Sequence, residues 1–161
     1  TDLPGDGAYG RTHAVDRIRA AVVAARALPR DFVLVARADG VMTGSYGMDE
    51  ALARVRAFAE AGADCVYVPL PPAPEDLARI TAAISVPVNA LAAGPFARLS
   101  RADFARLGVA RISLGSALAR VTHRAIRDAA RAMFGEGSFL PLTEGMPGGE
   151  VDALLSRFGE Q

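Results

Sequence analysis

Two side chains that suit the binding of a small anion stand at the ends of apolar runs in this chain. Arg37 follows the apolar residues 32–36, and Asn89 ends the run that begins at position 86. A guanidinium matches a carboxylate or phosphonate in bidentate fashion, and an asparagine amide can hold a carboxylate or a carbonyl. The alternatives are a structural ion pair between Arg37 and Asp39, and a hydrogen bond from Asn89 to its own backbone. The pattern favours ligand binding for Arg37 and leaves Asn89 open.

Three further residues are candidates for supporting roles at the same site. Asp39 could orient Arg37 or cap the loop that follows it. Gly115 and Ser116 open a helix after the last apolar run, and helix N-termini attract phosphate groups. An ordinary helix cap explains Ser116 equally well. We predict that Gly115 and Ser116 contact the substrate and that Asp39 supports Arg37.

The elements that position these residues follow an alternating pattern. Short apolar runs at 32–36, 65–68, 86–90 and 111–114 are typical of buried parallel strands, and amphipathic helical stretches separate them. This alternation predicts an α/β fold of the parallel (β/α) TIM-barrel type, with about the last four strand–helix units in this chain. Residues 1–134 would form this half-barrel, and residues 135–161 a C-terminal arm with a short helix. Because barrel sites form at the carboxyl ends of the strands, the candidates should share one mouth.

Composition excludes several classes of function. All 18 basic residues are arginine, so the chain has no lysine for a Schiff base, for pyridoxal phosphate or for a Walker-type phosphate loop. The formal net charge is zero, which argues against nucleic acid and anionic membranes as partners. One cysteine permits no internal disulfide, and no apolar run has membrane-spanning length. The predicted location is the cytoplasm, and the predicted partner is a small anionic substrate.

Several segments of the sequence, taken in order, resemble motifs of the phosphoenolpyruvate mutase/isocitrate lyase family. They are FVLVARA at 32–38 followed by Asp39, DEALARVRAFAEAGAD at 49–64, VPVN at 86–89 and RISLGSALA at 111–119. This resemblance implies a (β/α)₈ barrel enzyme, usually a tetramer that exchanges a C-terminal helix between subunits. It also implies Mg²⁺ as a cofactor and enolate chemistry on 2-oxo acids. By the same resemblance, Arg37 is catalytic and binds a substrate carboxylate or stabilises the enolate oxygen, and Asn89 holds the other carboxylate.

The chain also departs from the family pattern. The family's metal-binding aspartates lie on earlier strands, so no metal ligand is predicted here. Asp2 matches the aspartate of an Asn-x-Glu-Asp strand end, with Thr1 where the glutamate would be, and is predicted to support the site. The loop at 3–10 has none of the Lys, Cys or His residues of the isocitrate-type lyases.

These observations predict a Mg²⁺-dependent lyase or mutase, and leave one alternative. The enzyme would cleave or rearrange a C–C or C–P bond of a small 2-oxo acid, and would form a homo-oligomer, either a dimer or a tetramer. The alternative is a truncated, catalytically incompetent half-barrel that serves as an assembly or interaction module. The absent metal strands favour the alternative for a complete chain, and the intact Arg37 and Asn89 favour the enzyme for a fragment.

Overall fold

A computed structural model describes residues 7–156 of the chain. Asp2, predicted to support the site, lies outside the described residues. The chain divides into two compact units, Thr1–Gly115 and Ser116–Gln161, and each is described by itself. The predicted boundary between the half-barrel and the C-terminal arm, at residues 134 and 135, stays a prediction.

The first unit alternates strands with helices, as the sequence pattern predicts. Its elements are α1 (Arg11–Arg26), β1 (Val35–Arg37), α2 (Gly40–Thr43), α3 (Met48–Glu60), β2 (Cys65–Tyr67), α4 (Pro74–Ala83), β3 (Val88–Leu91), a 3₁₀ turn (Gly94–Arg98), α5 (Arg101–Arg106) and β4 (Arg111–Ser113).

The four strands form one parallel sheet in the order β1-β2-β3-β4, which confirms the predicted α/β class. Several strand bounds differ from the predicted ones, by one to three residues. The first strand begins at Val35 instead of residue 32, because its ladder starts where Val35 meets Cys65. The third strand continues to Leu91, which pairs with Ser113, so Asn89 lies inside β3 and does not end it.

One face of the sheet is covered by helices. The strand residues Ala36, Val66, Val88 and Ala90 join a single buried cluster with side chains of the surrounding helices. Three phenylalanine rings are the largest side chains of this cluster, and that of Phe58 on α3 is fully buried. The alternation of strand side chains explains this face, because residues two apart point to the same side of a sheet.

The boundaries of the helices have local causes. Ser100 caps α5 through a capping box, in which its hydroxyl accepts from the Asp103 N–H while the Asp103 carboxylate accepts from the Ser100 N–H. Gly62 follows α3 with φ +101°, a left-handed conformation that glycine adopts at little cost.

The second unit contains α6 (Ala117–Arg131), a π-helical turn (Ala132–Glu136), a 3₁₀ turn (Leu140–Glu144) and α7 (Gly148–Ser156). None of its described residues is buried. It exposes large apolar side chains, among them Leu118, Val121, Phe134 and Leu140.

Within residues 7–156, no helix combines the length and the apolar character needed to cross a membrane.

Candidate anion-binding site

A row of four side chains crosses the sheet on the face opposite to the helix-covered one, which we call the polar face. Strand pairing aligns Arg37 with Tyr67, Tyr67 with Asn89, and Asn89 with Arg111. In-register residues of a parallel sheet share a face, so Arg37 and Asn89 lie on the same face at the same level. They are separated by two strand spacings, about 10 Å along the sheet.

Arg37 ends β1 and keeps its guanidinium accessible. Its side chain is 40% exposed, and Nε donates a hydrogen bond to the buried Asp39 carboxylate. The guanidinium carbon also lies 5.3 Å from the centre of the Tyr67 ring, within the range of a cation–π contact. The structural ion pair that the sequence left open is therefore present. It fixes one edge of the guanidinium. Nη2 donates to Met42 Sδ at 4.0 Å, and Nη1 is not used by either of these bonds.

Asn89 is fully buried, and both ends of its amide are engaged. Its Oδ1 accepts a hydrogen bond of 2.7 Å from Arg111 Nη1, and its Nδ2 donates to Ser113 Oγ at 2.9 Å. Arginine has only donors, so it must face the amide oxygen, and this fixes the orientation of the amide. The backbone bond that the sequence left open as an alternative is not formed, because the amide makes these two side-chain contacts with the neighbouring strand. Substrate binding by Asn89 stays a prediction.

Tyr67 lies between Arg37 and Asn89 in the row and carries a phenol. Burial raises the pKa of Tyr67, and a hydrogen bond with Ser113 partly offsets that rise. Its hydroxyl is therefore protonated at neutral pH and can donate a proton or a hydrogen bond on the polar face. Burial likewise raises the pKa of the Cys65 thiol, two residues earlier on the same strand.

The predicted contribution of Gly115 and Ser116 stays a prediction. Gly115 follows β4 with φ +54°, so it turns the chain in a conformation that favours glycine. Ser116 occupies the N-cap position of α6, but its side chain makes no capping hydrogen bond there. The ordinary capping role that the sequence suggested for Ser116 is thus not formed.

Three residues of the polar face were not predicted from the sequence: Tyr67, Arg111 and Ser113. They do not follow the carboxyl end of a strand, and only the register across the sheet brings them to Asn89 and Arg37. A signal was available, because Arg111 is a charged residue in an apolar run and Tyr67 is the one polar aromatic in another. With the strand alternation, both point away from the helices.

The described residues do not form a metal site by themselves. No group of three or more His, Cys, Asp or Glu side chains with metal-binding geometry occurs within residues 7–156. Asp39, the carboxylate nearest to the row in sequence, is held by Arg37. The donor set of this part of the chain therefore does not fit Mg²⁺, and no step of the chemistry is derived through a metal here.

The described residues define an α/β protein with a parallel four-stranded sheet, helices on one face and the polar row on the other. Residues 2–134 match the family described as phosphoenolpyruvate phosphomutase. The chain therefore belongs to this family, which confirms the resemblance drawn from its motifs.

Solved structures and a curated relative agree with this assignment. A candidate lyase or mutase from Burkholderia cenocepacia J2315 superposes with a TM-score of 0.91 at 37% identity, over 96% of this chain and 56% of that one. An oxaloacetate acetylhydrolase in complex with its product oxalate has a TM-score of 0.73 at 27% identity, over 88% of this chain and 48% of that one. The "probable 2-methylisocitrate lyase 2" of Corynebacterium glutamicum is 36% identical over 88 residues, which are 55% of this chain and 27% of that protein.

The chain thus spans about half the length of the solved relatives it matches, and less of the curated one. The predicted half-barrel agrees with this coverage. The activities named among these relatives are those of lyases, a mutase and an acetylhydrolase.

Proposed function

We propose that this chain supplies the anion-binding half of a lyase or mutase active site that acts on a small 2-oxo acid. The observation that carries the proposal is the accessible Arg37 guanidinium, held by buried Asp39 beside Tyr67 and Asn89 on one face of the sheet. The names of the relatives support the reaction class, since one is an acetylhydrolase of oxaloacetate and another a methylisocitrate lyase.

The chemistry assigned to Arg37 is electrostatic. Cleavage or rearrangement next to a 2-oxo group develops negative charge on the enolate oxygen, and a fixed cation placed there stabilises the transition state. The ion pair with Asp39 holds the guanidinium before the substrate arrives, so little reorganisation is needed during the reaction. A divalent ion such as Mg²⁺ would add Lewis-acid stabilisation, with ligands from outside the described residues.

The experiment is a screen of small 2-oxo acids and phosphonates with Mg²⁺, beginning with oxaloacetate, on the natural protein and its Arg37→Ala variant. We expect kcat/KM to fall by about 10²–10³-fold in the variant, because one preorganised transition-state contact is lost. Arg56→Ala is the matched control, since Arg56 is exposed on α3, away from the row.

Unchanged turnover in Arg37→Ala would remove Arg37 from the mechanism. A natural protein that turns over none of these acids, yet still folds, would favour the assembly-module alternative.

We also propose that the protein assembles as a homo-oligomer, a dimer or tetramer, through its second unit. The exposed apolar side chains of α6 and the following turns support this proposal, because soluble monomers rarely leave so many in one segment. Light scattering coupled to gel filtration tests it, and a strictly monomeric natural protein would contradict it.

A further inference from the structure

Arg111 is the second cation of the polar row, and it is available to a ligand. It lies three strands from Arg37 in the same register, about 14 Å along the sheet. Its side chain is exposed, and among residues 7–156 it forms no ion pair. Within the described part of the chain, its Nη1 donates a hydrogen bond to Asn89 Oδ1. Nε and Nη2 are therefore not used by that bond.

Asn89 is too deeply buried to be the first residue that a ligand contacts. It is fully buried, whereas Arg111 beside it is exposed. An approaching anion therefore meets the guanidinium before it can reach the amide. The amide oxygen holds Nη1, and Ser113 holds the amide nitrogen in turn.

Ser113 holds the Asn89 amide in place through its hydroxyl. Its Oγ accepts from Asn89 Nδ2 and donates to the carbonyl of Ala90 at 3.1 Å. The hydroxyl is thus tied to the backbone of β3, and the amide is tied to the hydroxyl. A chain of hydrogen bonds runs from the sheet backbone to the guanidinium, so its position is set by rigid elements.

We propose that Arg111 is a second anion-binding residue of this site, with Asn89 and Ser113 as the positioning residues that aim it. The inference rests on the proposed function. In this proposal Asn89 acts on the substrate indirectly, through Arg111, whereas the sequence predicted a direct contact between Asn89 and the substrate.

The test measures the affinity of oxalate in the presence of Mg²⁺ by calorimetry, on the natural protein and its variants. We expect Arg111→Met to weaken oxalate binding by about 10–100-fold, the range of one charge-assisted hydrogen-bonded contact. Arg111→Lys should recover part of the affinity, because it keeps the charge and loses the fork. Arg56→Met removes the same charge from an exposed position on α3 and should bind oxalate as the natural protein does.

A double-mutant cycle separates positioning from direct contact. Asn89→Ala should weaken oxalate binding when Arg111 is present, and should have no further effect in the Arg111→Met background. A further loss in the double variant means that Asn89 touches the ligand itself and overturns its positioning role. Melting temperatures of all variants show whether each remains folded.

A spectroscopic readout is independent of ligand binding. Asn89 is the only asparagine of this chain, so selective ¹⁵N-asparagine labelling reports its side-chain amide. We expect the amide protons to shift and to exchange faster with solvent in Arg111→Met and in Ser113→Ala. An unchanged signal in both variants would overturn the proposed hydrogen-bond chain.

Failure of this inference differs from failure of the proposed function. If the natural protein and its Arg111→Met variant bind oxalate equally tightly, the anion-binding role of Arg111 is overturned. The proposed function is not affected by that result. A natural protein that neither binds nor turns over any of the acids overturns both the inference and the proposed function.

Discussion

The two faces of the four-stranded sheet differ in kind although they alternate along the same strands. On the helix-covered face, Ala36, Val66 and Val88 pack into one apolar cluster. On the polar face, Arg37 and Arg111 stand at the two ends of a row in the same register. Neighbouring residues of one strand therefore serve opposite purposes, because successive side chains point to opposite sides.

This difference teaches that net charge is a poor guide to the local field. The chain as a whole is neutral, yet two cations lie in one row on a single face. In a closed barrel this face is the interior, where charges are weakly screened and act strongly on a ligand. Substitutions on the helix-covered face should therefore change stability, whereas those in the polar row should change ligand binding.

The largest stability effect is expected from Phe58→Ala on the helix-covered face. Its fully buried ring contributes to the core cluster, so the deletion should cost about 3–5 kcal/mol of unfolding free energy. Urea denaturation measures this cost. Phe32→Ala is the matched control, because Phe32 is 43% exposed and lies outside the core cluster, so its loss should cost clearly less. Equal costs for the two would break the comparison between the faces.

Gly40→Ala should have the next largest effect, at the rim just after β1. An added Cβ would overlap the Tyr46 ring, which lies against Gly40, so the ring must move. We expect a loss of about 1–3 kcal/mol in thermal or urea unfolding. In a Tyr46→Ala background the same substitution should cost much less, since the overlap is gone. An equal cost in both backgrounds would show that steric overlap is not the cause.

The sheet could be predicted from the sequence to a greater extent than the site. Short apolar runs between helical stretches predict four parallel strands covered by helices. The strands β2 and β3 are buried as predicted, whereas Arg111 and Ile112 on β4 are exposed. The bounds of the strands were less accurate, since the ladder that starts at Val35 depends on which residue of β2 lies opposite.

The partners of Asn89 could not be predicted for a related reason. Arg111 is 22 residues away in sequence, and the two meet only because β3 and β4 pair in one register. Side-chain polarity does not reveal that register. Arg37 and Asp39 were easier to pair, because they are two residues apart on adjacent positions of one face.

A smaller, pH-dependent effect is expected at the amino ends of the strands. Hydrogen bonds from Arg26 and from the Leu34 N–H lower the pKa of Asp64. Its stabilising contribution is therefore complete above the pKa of an unfolded aspartate, about 4, and is lost as pH falls through the lower folded value. Asp64→Asn should destabilise the protein by about 1 kcal/mol at pH 7 and by less in acid.

Urea unfolding between pH 2 and 7 measures this dependence. Asp16→Asn is the control, because its exposed carboxylate pairs with Arg19 three residues along α1. If the cost of Asp64→Asn stays constant down to pH 2, the pairs with Arg26 and Leu34 do not contribute as described.

The smallest effect compares two serines at helix starts. Ser100→Ala removes the capping box of α5 and should cost about 1 kcal/mol. Ser116→Ala removes no capping bond from α6 and should leave the melting temperature nearly unchanged. A scan of both variants by calorimetry decides this, and a larger effect at Ser116 would contradict the local geometry.

The buried thiol on β2 offers a way to time how often the sheet opens. Cys65 is the single sulfhydryl of the chain, it is almost inaccessible, and burial raises the pKa of its thiol. An alkylating reagent can therefore modify it only during transient openings that expose and ionise it. The ratio of its labelling rate to that of a free thiol gives the free energy of those openings. Cys65 therefore reports how often this strand opens.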